Sequence, residues 1–237
     1  MGNFFHVILY KPLFNLLIGI YNVLPGHDLA VSIILLTIIV KIILSPLSVK
    51  MFRSQKKMAT IQPKIKELQE KHKGDKNAFA QASMSLYKEH DVNPLGGCLP
   101  ILIQLPIIWM LYKVFIDGLK NESLGALYSF VHNPGVINTN GLGFLDLTSP
   151  YPVLAILAGL GQGIQSWISI QLQKSQAAST GNSATDNPAL KMTQQMLYFF
   201  PIMITFISWS LPAGLVLYWV TSTVWAIMEQ LYIRRKY

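Results

Sequence analysis

Lys41 is an ammonium group in the middle of the apolar run Leu29–Val49. Counted from Leu29 it stands about twelve residues, roughly 18 Å, along a helix, near the middle of an ordinary bilayer. A charge at that depth costs several kcal/mol unless it reaches water or a partner. Thr37, Lys41, Ser45 and Ser48 recur at i, i+4, i+8 and i+11 and so share one helix face. Gln162, Ser166, Ser169 and Gln173 make a second polar stripe, and Tyr218, Ser222, Trp225 and Glu229 a third. Gln104, Thr205 and Ser208 add single polar groups. Such residues can solvate a polar passenger beside a fixed positive charge, or they can hydrogen-bond the helices to one another. Snorkelling to an interface is the competing account of Lys41, and mid-depth makes it difficult. No acid is expected at its level, because Asp117 and Glu229 fall toward the ends of their own apolar segments. A wet cavity is therefore expected around Lys41.

Covalent chemistry has no comparable candidates. His6, His27, His72, His90 and His132 are scattered without metal-ligand spacing. There is no Gly-rich phosphate loop, no His-Glu-x-x-His and no Ser-His-Asp arrangement within an apolar segment. The single cysteine, Cys98, excludes an intramolecular disulfide and reads as a small packed thiol. The expectation is a protein that is not an enzyme and needs no metal, cofactor or small-molecule substrate.

The elements that must position Lys41 follow from composition. Half the chain is hydrophobic (51%), 13% is charged, and the mean hydropathy is +0.39, which points to lipid as the solvent for much of it. Five segments are apolar enough to span: residues 28–50, 97–119, 151–173, 196–211 and 212–233. Pro212 marks a tight turn between the last two. Residues 51–93 are polar with helical periodicity in Ile61, Ile65, Leu68 and in Phe79, Ala82, Leu86. With Gly74 as a cap and Asp75 as a start, they read as an antiparallel helical hairpin outside the membrane.

The net charge of +8 is unevenly placed, with ten of the nineteen Lys and Arg residues between Lys50 and Lys88. The 120–150 loop carries only Lys120, whereas the 174–195 loop carries Lys174 and Lys191 and the 234–237 tail carries Arg234, Arg235 and Lys236. Basic loops stay in the cytoplasm, so the hairpin, the 174–195 loop and the C-terminus are expected inside, and the N-terminus and the 120–150 loop outside. The hairpin lacks aromatics interleaved for base stacking. In residues 1–27, Lys11, Asn15, Gly19 and Asn22 line one face, and Pro12 and Pro25 bound it. There is no basic leader or small-residue cleavage site, so an amphipathic helix in the outer interface is expected in preference to a signal peptide or a sixth span over Phe4–Leu24.

The fold class expected is an all-α membrane protein with five transmembrane helices, a cytoplasmic helical hairpin and an N-terminal interfacial helix. This chain resembles the YidC insertase family, which includes the mitochondrial and chloroplast insertases. The resemblance lies in Thr37-Ile-Ile-Val-Lys41-Ile-Ile-Leu-Ser-Pro46-Leu47 and in Asn93-Pro94-Leu95-Gly96-Gly97-Cys98-Leu99-Pro100-Ile-Leu-Ile-Gln104-Leu-Pro106. It extends to Leu211-Pro212-Ala213-Gly214 with Leu217-Tyr218-Trp219. It implies a bacterial inner-membrane insertase and chaperone with a positive, water-filled groove open to the cytoplasm, working without nucleotide hydrolysis. The groove residues it implies are Lys41, Thr37, Ser45, Gln104, Gln162, Gln165, Ser166, Tyr218, Trp219 and Ser222. Its partners would be nascent membrane proteins and the lipid bilayer, with the ribosome and the Sec translocon as further candidates. The apolar part of a substrate would slide along Ile101, Ile103, Ile107, Met203 and Phe206. The family usually carries arginine where this chain has Lys41, so the charge is kept but the bidentate fork is not. A secondary transporter would instead show paired repeats and a mid-span carboxylate, and a purely structural subunit would tolerate loss of Lys41.

Overall fold

A computed structural model describes residues 6–92, 99–114, 125–179 and 188–236. A π-helical turn, His6–Tyr10, leads into α1, Lys11–Val23, which has a proline in its first turn, where its missing N–H costs nothing. Thirteen residues give α1 a length of about 20 Å, too short to cross a bilayer upright. The chain turns at Gly26, where φ is +84°, and Asp28 starts the next helix by accepting from the amides of Ala30 at 2.8 Å and Val31 at 3.1 Å.

That helix, α2, runs unbroken from Leu29 to Lys71. The expected boundary between a span ending at residue 50 and a separate helix beginning at 51 is absent: one rod about 64 Å long carries both. Pro46 and Pro63 lie inside it. A cap at Asp75, whose carboxylate accepts from Asn77 and Ala78, begins α3, Lys76–Glu89, after Gly74 has turned the chain at φ +97°. Ile61, Ile65, Leu86 and Val92 form the small core of this pair, with Met58, Leu68, Phe79 and Tyr87 around it. This core is separate from the larger one of the bundle.

The bundle itself consists of α2 with α4, Leu99–Lys113; α5, Pro152–Ser179; α6, Pro188–Ser208; and α7, Ala213–Lys236. The expected 174–195 loop is therefore helical over all of its described length, with α5 extending to Ser179 and α6 starting at Pro188. By length and composition, Leu29–Ser54 and Pro152–Gln171 are apolar enough to cross a membrane, and Leu197–Ser208 is a shorter apolar stretch. The closest packing joins α5 to α6 and α7, and α2 to α7. At Gly159 of α5 the backbone comes so near α6 that an added Cβ would overlap the Thr205 hydroxyl.

The segment between α4 and α5 contains a two-stranded antiparallel ribbon that an all-α expectation did not include: β1, Asn140–Gly141, and β2, Leu145–Asp146. It is the keystone of one end of the bundle. Asp28 accepts from the amide of Leu142 at 2.6 Å, and an added Cβ at Gly141 would meet Ala30. The amides of Ala213 and Gly214 donate to Ser149 and Leu147 at 2.9 and 3.0 Å. The starts of α2 and α7 are thus fixed to one ribbon, and Pro150 bridges to Pro212 beside the start of α5. These three helices all run away from this loop end toward the hairpin end.

The same loop occupies the polar face of α1, the helix expected to lie in the outer interface. Asn15 donates to the carbonyl of Ala126 and accepts from the amide of Tyr128 at 2.6 Å, Asn22 donates to the carbonyl of His132, and Lys11 lies over the Tyr128 ring. Buried amide groups require such partners, so the sequence pattern marked a docking face.

Candidate functional site

The loop end of the bundle is dry. Phe14, Leu17 and Ile18 of α1, Leu29, Ala30 and Ile33 of α2, Leu147 and Ala213 have no exposed surface, and Leu36, Leu215 and Val216 have almost none. Along α2 this packing reaches Leu36 and thins to the partly buried Val40 and Leu44. Beyond Leu36 the polar residues begin, and Lys41, half-buried, stands at that change.

The groove residues expected from sequence separate into two groups. Thr37 is buried and its hydroxyl donates to the carbonyl of Ile33 at 2.6 Å, inside its own helix. Gln104 of α4, half-buried, donates to the Tyr218 hydroxyl of α7 at 2.6 Å, and Tyr218 also contacts the Ser222 side chain one turn away. Tyr218 and Ser222 are both buried, and Trp219 packs against the core. For Thr37, Gln104, Tyr218 and Ser222, hydrogen bonding within and between helices is thus the observed use. Lys41, Ser45, Gln162 and Gln165 are half-buried, while Ser166 is buried and its Oγ has no hydrogen-bond partner in the structure.

A second interhelical link lies farther toward the hairpin end: Gln230 of α7 donates to the Ser169 hydroxyl of α5 at 3.1 Å, and that hydroxyl donates to the carbonyl of Gln165. Sequence reasoning singled out Ser169 but not Gln230. It also set Glu229 apart from Lys41, whereas their two helices start on one ribbon and, counted along them, Glu229 lies only about 6 Å deeper. The Oε1 atom of Glu229 is buried without a hydrogen-bond donor, as the indole Nε1 of Trp225 is without an acceptor. The stagger of the two helices was the missing signal. Glu229 lies sixteen residues from Ala213, about 24 Å, and Lys41 about 18 Å from Leu29.

Apolar side chains surround this polar interior on its outer faces. Ile42, Ile43, Leu105, Trp109, Ile202 and Phe206 are exposed. Of the expected sliding surface, Phe206 is 77% exposed and Met203 is partly buried against the core. Ile107 is not on that surface: it is buried in the core that includes Tyr10 and Phe14. The side chains of Ile101 and Ile103, and the motif from Asn93 to Cys98, lie outside the described residues, as do Asp117 and Lys120. Among the described residues no group of three His, Cys, Asp or Glu side chains could hold a metal ion.

Comparison with known proteins places relatives beside this geometry. The family model described as 60Kd inner membrane protein matches residues 20–237. A protein named membrane protein insertase YidC from Fusobacterium nucleatum subsp. nucleatum is 37% identical over 209 residues, which is 88% of this chain and 87% of that protein. Its namesake from Francisella tularensis subsp. novicida is 38% identical over 206 residues, covering 87% of this chain and 32% of the longer relative.

Proposed function

Because the chain belongs to the 60Kd inner membrane protein family, the family of the YidC insertases, we propose that it inserts other proteins into a bacterial inner membrane. In this reading five spans bracket a positively charged recess that opens at the hairpin end, and no nucleotide is hydrolysed. The observation that carries it is the position of Lys41, where the dry packing of the loop end gives way to half-buried polar residues on α2 and α5. A polar segment of a nascent chain entering there keeps hydrogen-bonding partners and meets a positive charge, which lowers the cost of its stay in the membrane. Its apolar segment meets Ile42, Ile43 and Phe206 and partitions into lipid, which drives the step.

The basic residues of the hairpin support an orientation with the hairpin and C-terminus in the cytoplasm and the N-terminus outside. The loop end would then seal the outer face. Nascent membrane proteins are the substrates, and the ribosome and the Sec translocon are the partners that the hairpin could receive them from.

The test is reconstitution of the purified protein in liposomes, with insertion of a single-span substrate and flux of small solutes measured in parallel. Insertion without nucleotide and without solute flux is the expected result. Flux without insertion would make the protein a transporter, and neither would make it an assembly subunit.

A further inference from the structure

Glu229 is a carboxylate that the insertion reading does not use. The helices that carry it and Lys41 start on the same ribbon and run in the same direction. Counted along the helices from those starts, Glu229 lies only about 6 Å deeper than Lys41. α2 and α7 are among the most closely packed pairs in the bundle. One Glu229 oxygen is buried and has no donor, although a buried carboxylate oxygen normally has one. Lys41 is the cation whose field it shares.

We propose that Glu229 is the internal competitor for Lys41: without pairing with it, the carboxylate offsets the ammonium's field in the empty recess, and an acidic segment of the substrate must outweigh it to gain from Lys41. Glu229 thereby sets how acidic a passenger must be before it gains from Lys41. A recess with an unopposed cation would attract any anion at the membrane surface. One with a resident counter-charge responds to a carboxylate that brings enough apolar chain with it to stay. Trp225, one turn before Glu229 and with a buried N–H that has no acceptor, offers a neutral donor at the level of Lys41.

This inference rests on the insertase reading, and the experiment separates the two. Substrates with acidic, neutral and basic tails are inserted into proteoliposomes holding the full chain or its variants Lys41→Ala, Glu229→Gln, Glu229→Asp and Lys41→Ala/Glu229→Gln. Glu229→Gln should raise acidic-tail insertion relative to neutral-tail insertion by at least about fivefold, the low end of couplings between interacting sites. Glu229→Asp, which withdraws the carboxylate by one methylene and retains the charge, should raise it by a smaller factor and keeps the test open if the glutamine variant accumulates poorly. In the Lys41→Ala background the gain should vanish, because no ammonium charge is left to unmask. A gain equal for all tails, no gain from either Glu229 variant, or a gain that persists without Lys41 would overturn the competitor role. The insertase reading fails separately if the unaltered chain inserts no substrate. Loss of tail discrimination in the unaltered chain would remove the electrostatic half of that reading.

Discussion

A single nitrogen carries the charge of Lys41, so the residue can attract a carboxylate without fixing its orientation as an arginine fork would. Lys41→Arg is therefore expected to retain insertion. Lys41→Ala should lower insertion of acidic-tail substrates by about tenfold, equivalent to about 1.4 kcal/mol, and Lys41→Glu should lower it further because repulsion replaces attraction. Neutral tails should lose less in both variants, and a loss equal for every tail would show that Lys41 serves the fold. At the opposite end of the bundle, Asp146 is the residue with a pH signature. Its carboxylate accepts from the Ser149 hydroxyl at 2.6 Å, the Thr148 hydroxyl at 2.7 Å and the Thr148 amide at 3.0 Å. These bonds, the Ser149 hydroxyl first among them, hold it below the usual aspartate value of 3.8. A depressed folded-state value means stabilisation that is complete above the ordinary value and is lost as pH falls through the depressed one. The protection factors of the amides of residues 145–149, the observed exchange rates corrected for the intrinsic rate at each pH, should therefore be flat from neutral pH to about 4 and fall below it. In Asp146→Asn that acid-dependent loss of protection should disappear, and its persistence would assign the effect to another group.

Elements differ in how openly the sequence declares them. The cap at Asp75, the turn at Gly74 and the apolar positions Ile61, Ile65 and Leu86 of the hairpin were all legible, because polar surroundings make a narrow apolar stripe visible. In α4 nearly every residue is apolar, so no stripe distinguishes the buried Ile107 from the exposed Leu105. The continuity of α2 was hidden for a different reason: prolines at 46 and 63 argue for ends, yet each removes only one hydrogen bond from a 43-residue helix. Lys41 was legible as a charge among apolar residues, whereas its relation to Glu229 depends on a stagger set by the ribbon between α4 and α5. Two element-scale outcomes follow. Replacing Arg53–Glu89 by a short Gly/Ser linker should leave membrane accumulation intact and reduce insertion, since the hairpin keeps a core of its own; failure to accumulate would make the hairpin structural. Gly159→Ala should lower stability in detergent by about 1–3 kcal/mol, because its Cβ would overlap Thr205. Thr205→Ala in the same chain should restore part of the loss, and no restoration would place the strain elsewhere.

For the molecule as a whole, the two ends should answer to opposite sides of the membrane. In a Cys98→Ser background, an impermeant maleimide should label Phe144→Cys only from outside and Met84→Cys only from the cytoplasm, both positions being well exposed. Lys41→Cys and Ser45→Cys should react from the cytoplasmic side faster than Ile39→Cys, which lies off the polar face. Equal rates at these three positions would argue against a defined recess. The unbroken α2 adds a mechanical consequence. Pro46 has no N–H to give the preceding turn, which makes it the compliant point of the rod. The arm from Pro46 to Lys71 is about 38 Å and the arm back to Lys41 about 8 Å. A bend of about 10° at this joint would carry the far tip through about 7 Å while the arm bearing Lys41 stays packed in the bundle. The joint acts as a universal coupling that lets the hairpin sweep for cargo without disturbing the charge it feeds.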